Sequence, residues 1–175
     1  MISDKITSAL NQQINLEYAS AYTYLSMSSF FLAQNLHGFA HWLRIQAQEE
    51  LLHGMKIYDF VSERDGVVQL SAIPAPPTKW GGPLAVFHDA RENEKQVSES
   101  IYNLVDLSLK ERDHATNNFL QWFVSEQVEE EAGVNKVIDT LKLVGTDGNG
   151  LFLIDRDLSQ RVPSTPPPAN NTPSQ

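Results

Sequence analysis

The 175-residue sequence predicts an all-α fold, a four-helix bundle made of two antiparallel hairpins with one long crossover and a short fifth helix. Two observations predict it. Apolar residues recur over four long segments at the alternating three-and-four spacing of bundle helices. The first and third connections between these segments are short, whereas the second is long. Short connections join antiparallel neighbours, and the long one allows the second and third helices to run parallel.

The four helical patterns cover residues 4–34, 38–65, 84–112 and 114–144. Pro83 stands where the first turn of a helix tolerates proline, and Gly66 and Gly145 stand where helices commonly stop. The connection over residues 66–83 is rich in proline and glycine. When extended it reaches roughly 60 Å, which is enough to cross a bundle of roughly 40 Å.

A short fifth helix is predicted from Leu151 to Arg161, because Leu151, Ile154 and Leu158 recur at helical spacing. The preceding Asp147 to Gly150 is interpreted as a turn that stops the fourth helix. Residues 162–175 consist mainly of Pro, Ser, Thr, Asn and Gln and offer little apolar surface to bury, so we expect a disordered tail. The sequence therefore predicts one domain over residues 1–161.

Composition narrows the range of functions. The net charge of −9 argues against a nucleic-acid backbone as partner, and no apolar run is long enough to span a membrane. The first residues lack the pattern of a signal peptide, so a cytoplasmic location is expected. The sequence contains no cysteine, which excludes disulfides, thiolate metal sites and iron–sulfur clusters. Carboxylate and imidazole ligands remain, and these favour iron, manganese, zinc or magnesium.

The residues of each helix that face the bundle interior, called its seam here, are apolar at both ends of the helix and include a glutamate near its middle. From the first to the fourth helix, the seams are Leu10, Gln13, Glu17, Ser20, Tyr24, Met27 and Phe31; Phe39, Leu43, Gln46, Glu50, His53, Ile57 and Phe60; Phe87, Ala90, Glu94, Val97, Ile101 and Leu104; and Leu120, Phe123, Gln127, Glu130, Val134, Val137, Leu141 and Val144. Adding 77 to positions 17, 50 and 53 gives 94, 127 and 130. The polar constellation therefore occurs twice, which suggests two hairpins facing each other about a pseudo-twofold axis.

Four carboxylates at one depth of a core cannot remain there as bare charges, because desolvation and mutual repulsion are both costly. They could be protonated, or two divalent cations could balance their four negative charges. Glu50 and His53 stand at i and i+3 and can reach one ion together, and Gln127 and Glu130 are placed likewise. The alternative is that the glutamates lie at the bundle edges with their carboxylates in water.

The stretches Leu16–Ser20, Gln48–His53, Glu92–Glu94 and Glu126–Glu130 resemble those of bacterial-type non-haem ferritins, and the resemblance covers roughly residues 1–161. Only one Glu-x-x-His motif is present, at Glu50 and His53; Gln127 and Glu130 form a Gln-x-x-Glu version, as in ferritins. Bacterioferritins have both motifs complete and a haem-ligating methionine where this chain has Leu51. The resemblance therefore implies no haem.

The resemblance also implies the roles of the site residues. Glu17, Glu50 and His53 would bind one iron and Glu94 and Glu130 the second, with Glu50 bridging and Gln127 beside the site. Tyr24 would hydrogen-bond into the centre and supply an electron; its alternative is a core tyrosine with a satisfied hydroxyl. A third iron is implied at Glu49, Glu126, Glu129 and the shared Glu130, whereas without the resemblance these would be interpreted as a solvated stripe.

The implied function is iron storage and detoxification: Fe(II) is oxidised by O2 or H2O2 at the di-iron centre, and Fe(III) mineral is deposited inside a cage of 24 subunits. The fifth helix would line the fourfold axis, or simply pack on its own bundle. Two rivals stay open at this point. One is a di-metal oxygenase acting on an organic substrate, and the other is a structural bundle whose glutamates are solvated or protonated.

Overall fold

The computed structural model describes residues 2–145 and 147–163, and all regular secondary structure in these ranges is α-helical. The helices are α1 (Asp4–Leu32), α2 (His37–Glu63), α3 (Pro83–Lys110), α4 (His114–Val144) and α5 (Gly148–Leu158). The predicted four long helices and short fifth helix are thereby confirmed, with ends that move by at most three residues. None of these helices combines the length and the hydropathy that a membrane crossing requires.

The helices pair as the connection lengths predict. α1 packs along α2, α3 packs along α4, and α1 contacts α3. The long connection runs beside α1: near one end, the side-chain amide of Asn11 donates to the carbonyl of Val67 at 2.9 Å. Near the other end, the Ser26 hydroxyl donates to the carbonyl of Pro77 at 2.5 Å. The connection thus crosses the bundle lengthwise, as predicted.

Three helices end in the same way. Asn35, Asp65 and Arg112 adopt positive φ angles of 60°, 60° and 56° just after α1, α2 and α3. The residue after each donates its backbone N–H to a carbonyl five residues earlier, for example Gly66 to Val61 at 2.9 Å. This is the Schellman motif. Gly66 was predicted as the stop of α2, but the left-handed residue is Asp65, and Gly66 follows it.

The predicted start of α5 was wrong. The helix begins at Gly148, because the Asp147 carboxylate accepts hydrogen bonds from the backbone of Asn149 at 3.4 Å and of Gly150 at 2.9 Å. Asp147 is therefore a helix N-cap, which corrects the predicted turn over Asp147 to Gly150. The helix ends at Leu158, so Arg161 lies beyond it.

The core consists of two apolar clusters at opposite ends of the bundle. One surrounds Phe31, Phe39 and Phe87, and the other surrounds Leu10, Ile101 and Leu120. The predicted seam residues are all buried except Phe60 and Val144, which are half-buried. A layer of buried polar side chains separates the two clusters.

The domain boundary after residue 161 stays a prediction. Val162 and Pro163 are exposed and non-helical, and the rest of the predicted tail lies outside the described residues.

Candidate metal centre

The polar layer contains the five predicted ligands, one or two from each long helix. Glu17, Glu50 and Glu94 are fully buried, and His53 and Glu130 expose 4% and 6% of their surface. The alternative of bundle-edge glutamates with carboxylates in water therefore does not describe this structure. Glutamate is almost never fully buried unless its charge is paired, so this layer requires a chemical explanation.

The first group consists of Glu17, Glu50 and His53. One ligand atom from each lies within 4.8 Å of the other two, a separation that suits a single metal ion. His53 Nδ1 lies 3.2 Å from Glu50 Oε2. The side-chain amide of Gln13 donates to Glu17 Oε1 at 2.8 Å, whereas no donor among the described residues reaches the buried Glu17 Oε2. That oxygen is an acceptor for which a cation would be the natural partner.

The second group consists of His53, Glu126 and Glu130, again within 4.8 Å of one another. The prediction from the sequence instead pairs Glu130 with Glu94. In the structure the Glu94 carboxylate accepts hydrogen bonds from the Tyr24 hydroxyl and from the Gln127 amide, the latter at 3.3 Å. Glu94 therefore lies in the same buried layer but outside both three-residue groups.

Tyr24 and Gln127 both act on Glu94. Tyr24 is fully buried, and its hydroxyl is satisfied by a carboxylate of the polar layer itself. The two interpretations of this tyrosine, a satisfied core residue and a residue of the centre, therefore coincide. Gln127 turns its amide nitrogen toward Glu94 and also donates to the Ser98 hydroxyl at 3.2 Å. In this arrangement Gln127 orients Glu94 through a donor.

The carboxyl groups of the layer hold their protons unusually strongly. Burial raises the pKa of Glu17 well above its ordinary value, and repulsion from Glu50 adds to this. Burial also raises the pKa of Glu50, with further repulsion from Glu94 and Glu130. Burial raises the pKa of both Glu94 and Glu130 to about 7. The protein's own side chains thus leave the negative charge of this layer uncompensated, which is the condition a cation would relieve.

Two glutamines of the predicted seams, for which no role is predicted, position the carboxylates. Gln13 precedes Glu17 by four residues and Gln46 precedes Glu50 by four. The Gln46 amide donates to Glu130 Oε2 at 2.6 Å and to Glu50 Oε1 at 3.4 Å. A signal was present in the sequence, because residues four apart lie on one helix face, but the contact of Gln46 with α4 depends on packing.

The carboxylates predicted for a third site differ in their surroundings. Glu49 is only 2% exposed, so it is not part of a solvated stripe, and Arg161 Nη2 donates to its Oε2 at 2.5 Å. Burial raises the pKa of the half-buried Glu126, to which Glu129 and Glu49 contribute by repulsion. Glu129 is exposed. The structure thus joins Glu126 to the layer through Glu130. Glu49 is already bound to Arg161, which is not among the predicted site residues.

Comparison with known proteins gives a consistent result. The family model described as a ferritin-like domain matches residues 7–144. A bacterial non-heme ferritin of Bacteroides fragilis is 44% identical over 161 residues, which cover 92% of this chain and all of that protein. One of Staphylococcus saprophyticus is 41% identical, over 92% of this chain and 96% of its own length.

Among solved structures, an open pore ferritin from the archaeon Archaeoglobus fulgidus superimposes with a TM-score of 0.92 at 50% identity, over 93% of this chain and all of that one. The family-model match, the two bacterial relatives and this superposition all extend over most of the chain and agree with the helix order. This chain belongs to the ferritin family and is similar to bacterial non-haem ferritins.

Proposed function

We propose that this protein stores and detoxifies iron by oxidising Fe(II) with O2, or with H2O2, at a di-iron centre in the polar layer of each subunit. The observation that supports this most strongly is the set of four buried carboxyls, each with a raised pKa, at one depth of the bundle. Such a layer is stable at neutral pH only if protons or cations compensate its charge. Family membership favours iron as that cation.

In this proposal Glu17, Glu50 and His53 bind one iron, and Glu94 and Glu130 bind the other, with Glu50 shared between them. The close approach of Glu17, Glu50 and His53 supports the first assignment. Repulsion from both Glu94 and Glu130 on Glu50 supports its central position. The bound irons are substrate, since each must leave as Fe(III) before the next pair enters.

The chemistry follows from the ligands. Hard carboxylate oxygens stabilise Fe(III) relative to Fe(II), which favours loss of an electron from each iron. Two irons held together deliver two electrons to one O2, so that single-electron release of superoxide is avoided. Tyr24 donates a hydrogen bond to Glu94; in the proposal it supplies one further electron to the same oxidant and passes its phenolic proton to Glu94. Gln13, Gln46 and Gln127 orient the carboxylates without adding charge.

Iron that leaves the centre would pass a third binding position, formed by Glu49, Glu126 and Glu129 with the shared Glu130. It would then be deposited as mineral inside a cage of 24 subunits. The family supports a homo-oligomer. An apolar face on α1, α2 and the crossover supports burial of this surface between subunits; its exposed side chains are Tyr22, Leu25, Leu51, Leu52, Met55 and Ile73. The number of subunits rests on the resemblance alone.

Adding Fe(II) in air to the purified protein tests this proposal. A storage ferritin consumes many irons per subunit and becomes a large, brown, soluble particle. A di-metal oxygenase stops near two irons per subunit, and a structural bundle does not accelerate oxidation; either result would contradict the proposal. His53→Ala should abolish rapid Fe(II) oxidation, whereas His114→Ala, which changes an exposed histidine on α4, should not.

A further inference from the structure

The segment after α5 brings a cation onto the candidate centre. The Arg161 guanidinium donates to Glu49 Oε2 at 2.5 Å and to Gln46 Oε1 at 2.8 Å, and it also donates to the backbone carbonyl of Trp42 at 3.3 Å. Its carbon lies 4.2 Å from the centroid of the Trp42 ring. The arginine side chain is only 20% exposed, and that of Glu49 only 3%. Arg161 is thus a largely buried cation with four specific contacts, unlike a surface charge.

The fold holds Arg161 in this position from both sides. Asp155 Oδ1 accepts the backbone N–H groups of Gly38 at 2.8 Å and Phe39 at 3.0 Å, which anchors α5 to the first turn of α2. A Cβ atom at Gly38 would lie 1.6 Å from the Asp155 carbonyl oxygen, so the two backbones are in close contact. Beyond the helix, the His41 ring contacts the carbonyl oxygen of Arg161 at 2.9 Å.

Glu49 is also one of the carboxylates in the proposed third iron position. A guanidinium paired with this carboxylate supplies the positive charge that an iron ion would otherwise supply, and two cations at one carboxylate repel each other. We propose that Arg161 is a built-in competitor of the third iron, so that an ion binds at Glu49 only when the guanidinium withdraws. This inference rests on the proposed function, because it requires Glu49 to be an iron ligand.

The contacts of Gln46 connect this competition to the di-iron centre. Arg161 donates to the Gln46 amide oxygen, and this fixes the amide so that its nitrogen faces Glu130 at 2.6 Å. Glu130 is the carboxylate that the second and third iron positions share in the proposal. Withdrawal of Arg161 therefore removes the guanidinium from Glu49 and at the same time loosens the amide that holds Glu130. Arg161 acts through Glu49 and Gln46 and is a positioning residue.

Zinc titration of the assembled, metal-free protein tests this inference, with binding followed by calorimetry and positions by anomalous diffraction at the zinc edge. Zn²⁺ undergoes no redox change, so binding is separated from oxidation. Arg161→Gln should bind the third ion roughly tenfold more tightly, since it removes a charge-assisted contact that the ion must displace. Arg161→Lys should be intermediate, because a point charge replaces the planar fork.

Arg156→Gln is the matched control, because it removes the same charge from α5. Within the described part of the chain, the Arg156 guanidinium pairs only with the exposed Asp157. The third-ion affinity of this variant should equal that of the unchanged protein. Equal third-ion affinity in the unchanged protein and in Arg161→Gln would overturn the competitor role alone. A protein in which two ions bind but no third ion does, with or without Arg161, would overturn both the competitor and the third position. Absence of zinc from the polar layer would also contradict the di-iron proposal.

Discussion

At the residue scale, each glutamate of the polar layer is oriented by a neutral donor and faces other carboxyls. Gln13 donates to Glu17, Gln46 to Glu130, and Tyr24 and Gln127 to Glu94. Neutral donors satisfy hydrogen bonds but do not balance charge, so burial still raises the pKa of every one of these carboxyls. The same groups that would bind metal therefore destabilise the metal-free fold at neutral pH.

Replacing Glu50 with Gln tests this opposition between stability and function. Glu50→Gln should raise the unfolding temperature of the metal-free protein at pH 7.5. It removes a carboxyl whose pKa is raised by burial and by repulsion from Glu94 and Glu130, and such a group costs folding free energy at this pH. Fast Fe(II) oxidation should fall by roughly 100-fold or more. Removing a residue that only supports a metal ligand typically costs about 10–100-fold, and Glu50 is itself a proposed ligand. Glu99→Gln, at an exposed position on α3, is the control and should change neither quantity. Unimpaired oxidation by Glu50→Gln would contradict its role.

The pH dependence of the metal-free protein has a definite sign. Glu94 and Glu130 have folded-state pKa values of about 7, above the ordinary 4.5, so the folded state binds more protons than the unfolded state between these values. Their stabilising contribution is complete below about pH 4.5 and is lost as the pH rises through about 7.

We therefore expect the unfolding temperature of the metal-free protein to fall as the pH rises from 5 to 7.5. The fall should be larger than in a double variant that carries Glu94→Gln and Glu130→Gln. Zn²⁺ binding at pH 6.5 should release at least about one proton per subunit, measurable from the buffer dependence of the calorimetric heat. Zinc binding without proton release would contradict the protonated state of these carboxyls.

The identity of the central residues could be predicted because Glu17, Glu50 and Glu94 interrupt apolar seams at a repeated spacing. Their partners could not. The hydrogen bond from Gln46 to Glu130 joins two helices 84 residues apart in sequence, and its existence depends on how closely α2 and α4 pack. The pairing of Glu49 with Arg161 depends on how the chain turns after α5, for which no spacing rule exists.

At the element scale, the helix ends position the site. α2 has no side-chain hydrogen bond from its own N-cap, Leu36, and Asp155 of α5 supplies that acceptor instead. A carboxylate at this end also interacts favourably with the helix dipole. The placement of α5, and with it that of Arg161, thus depends on one carboxylate.

Asp155→Ala should cost about 1 kcal/mol, as expected for a lost N-cap, and should detach α5 locally. Hydrogen–deuterium exchange should show faster exchange over residues 148–158 and at the first turn of α2, with α3 unchanged. Asp157→Ala is the matched control on the same helix, since the Asp157 carboxylate pairs with the exposed Arg156 and, within the described residues, makes no hydrogen bond to α2. Equal exchange in the two variants would contradict this docking role.

Most helix limits could be predicted because Pro83 and Gly145 are strong signals. The start of α5 could not, since Asp147-Gly148-Asn149-Gly150 is equally typical of a turn and of a capped helix start, and only its docking on α2 and α4 decides between them. The left-handed residues Asp65 and Arg112 were missed for a similar reason. Neither is a residue type that favours this conformation as strongly as glycine does.

At the scale of the whole molecule, the described chain exposes an apolar face along α1, α2 and the crossover. Its large side chains are Tyr22, Leu25, Leu51, Leu52, Met55 and Ile73. A shallow cavity of about 440 Å³ lies on this face between Tyr18, Leu25 and Leu51. Contiguous apolar patches of this kind on a folded protein mark contact surfaces, and a homo-oligomer would bury this one.

Leu25→Glu should therefore disrupt assembly. Leu25 and Tyr102 are both 45% exposed, but Tyr102 lies on α3, outside this face. Native mass spectrometry of Leu25→Glu should show smaller species, because an unpaired charge would be buried at the contact. Tyr102→Glu should retain the assembly of the unchanged protein. Intact assembly in Leu25→Glu would exclude this face as a subunit contact.

The central claim, that two metal ions compensate the buried carboxylates, is tested most directly by an anomalous difference map at the iron edge from crystals soaked in Fe(II). We predict two peaks inside the bundle, separated by roughly 3.5–4 Å as in other two-metal sites. One should lie against Glu17, Glu50 and His53, and the other against Glu94 and Glu130. A bundle interior without anomalous signal, with iron only at the exposed surface, would contradict the account.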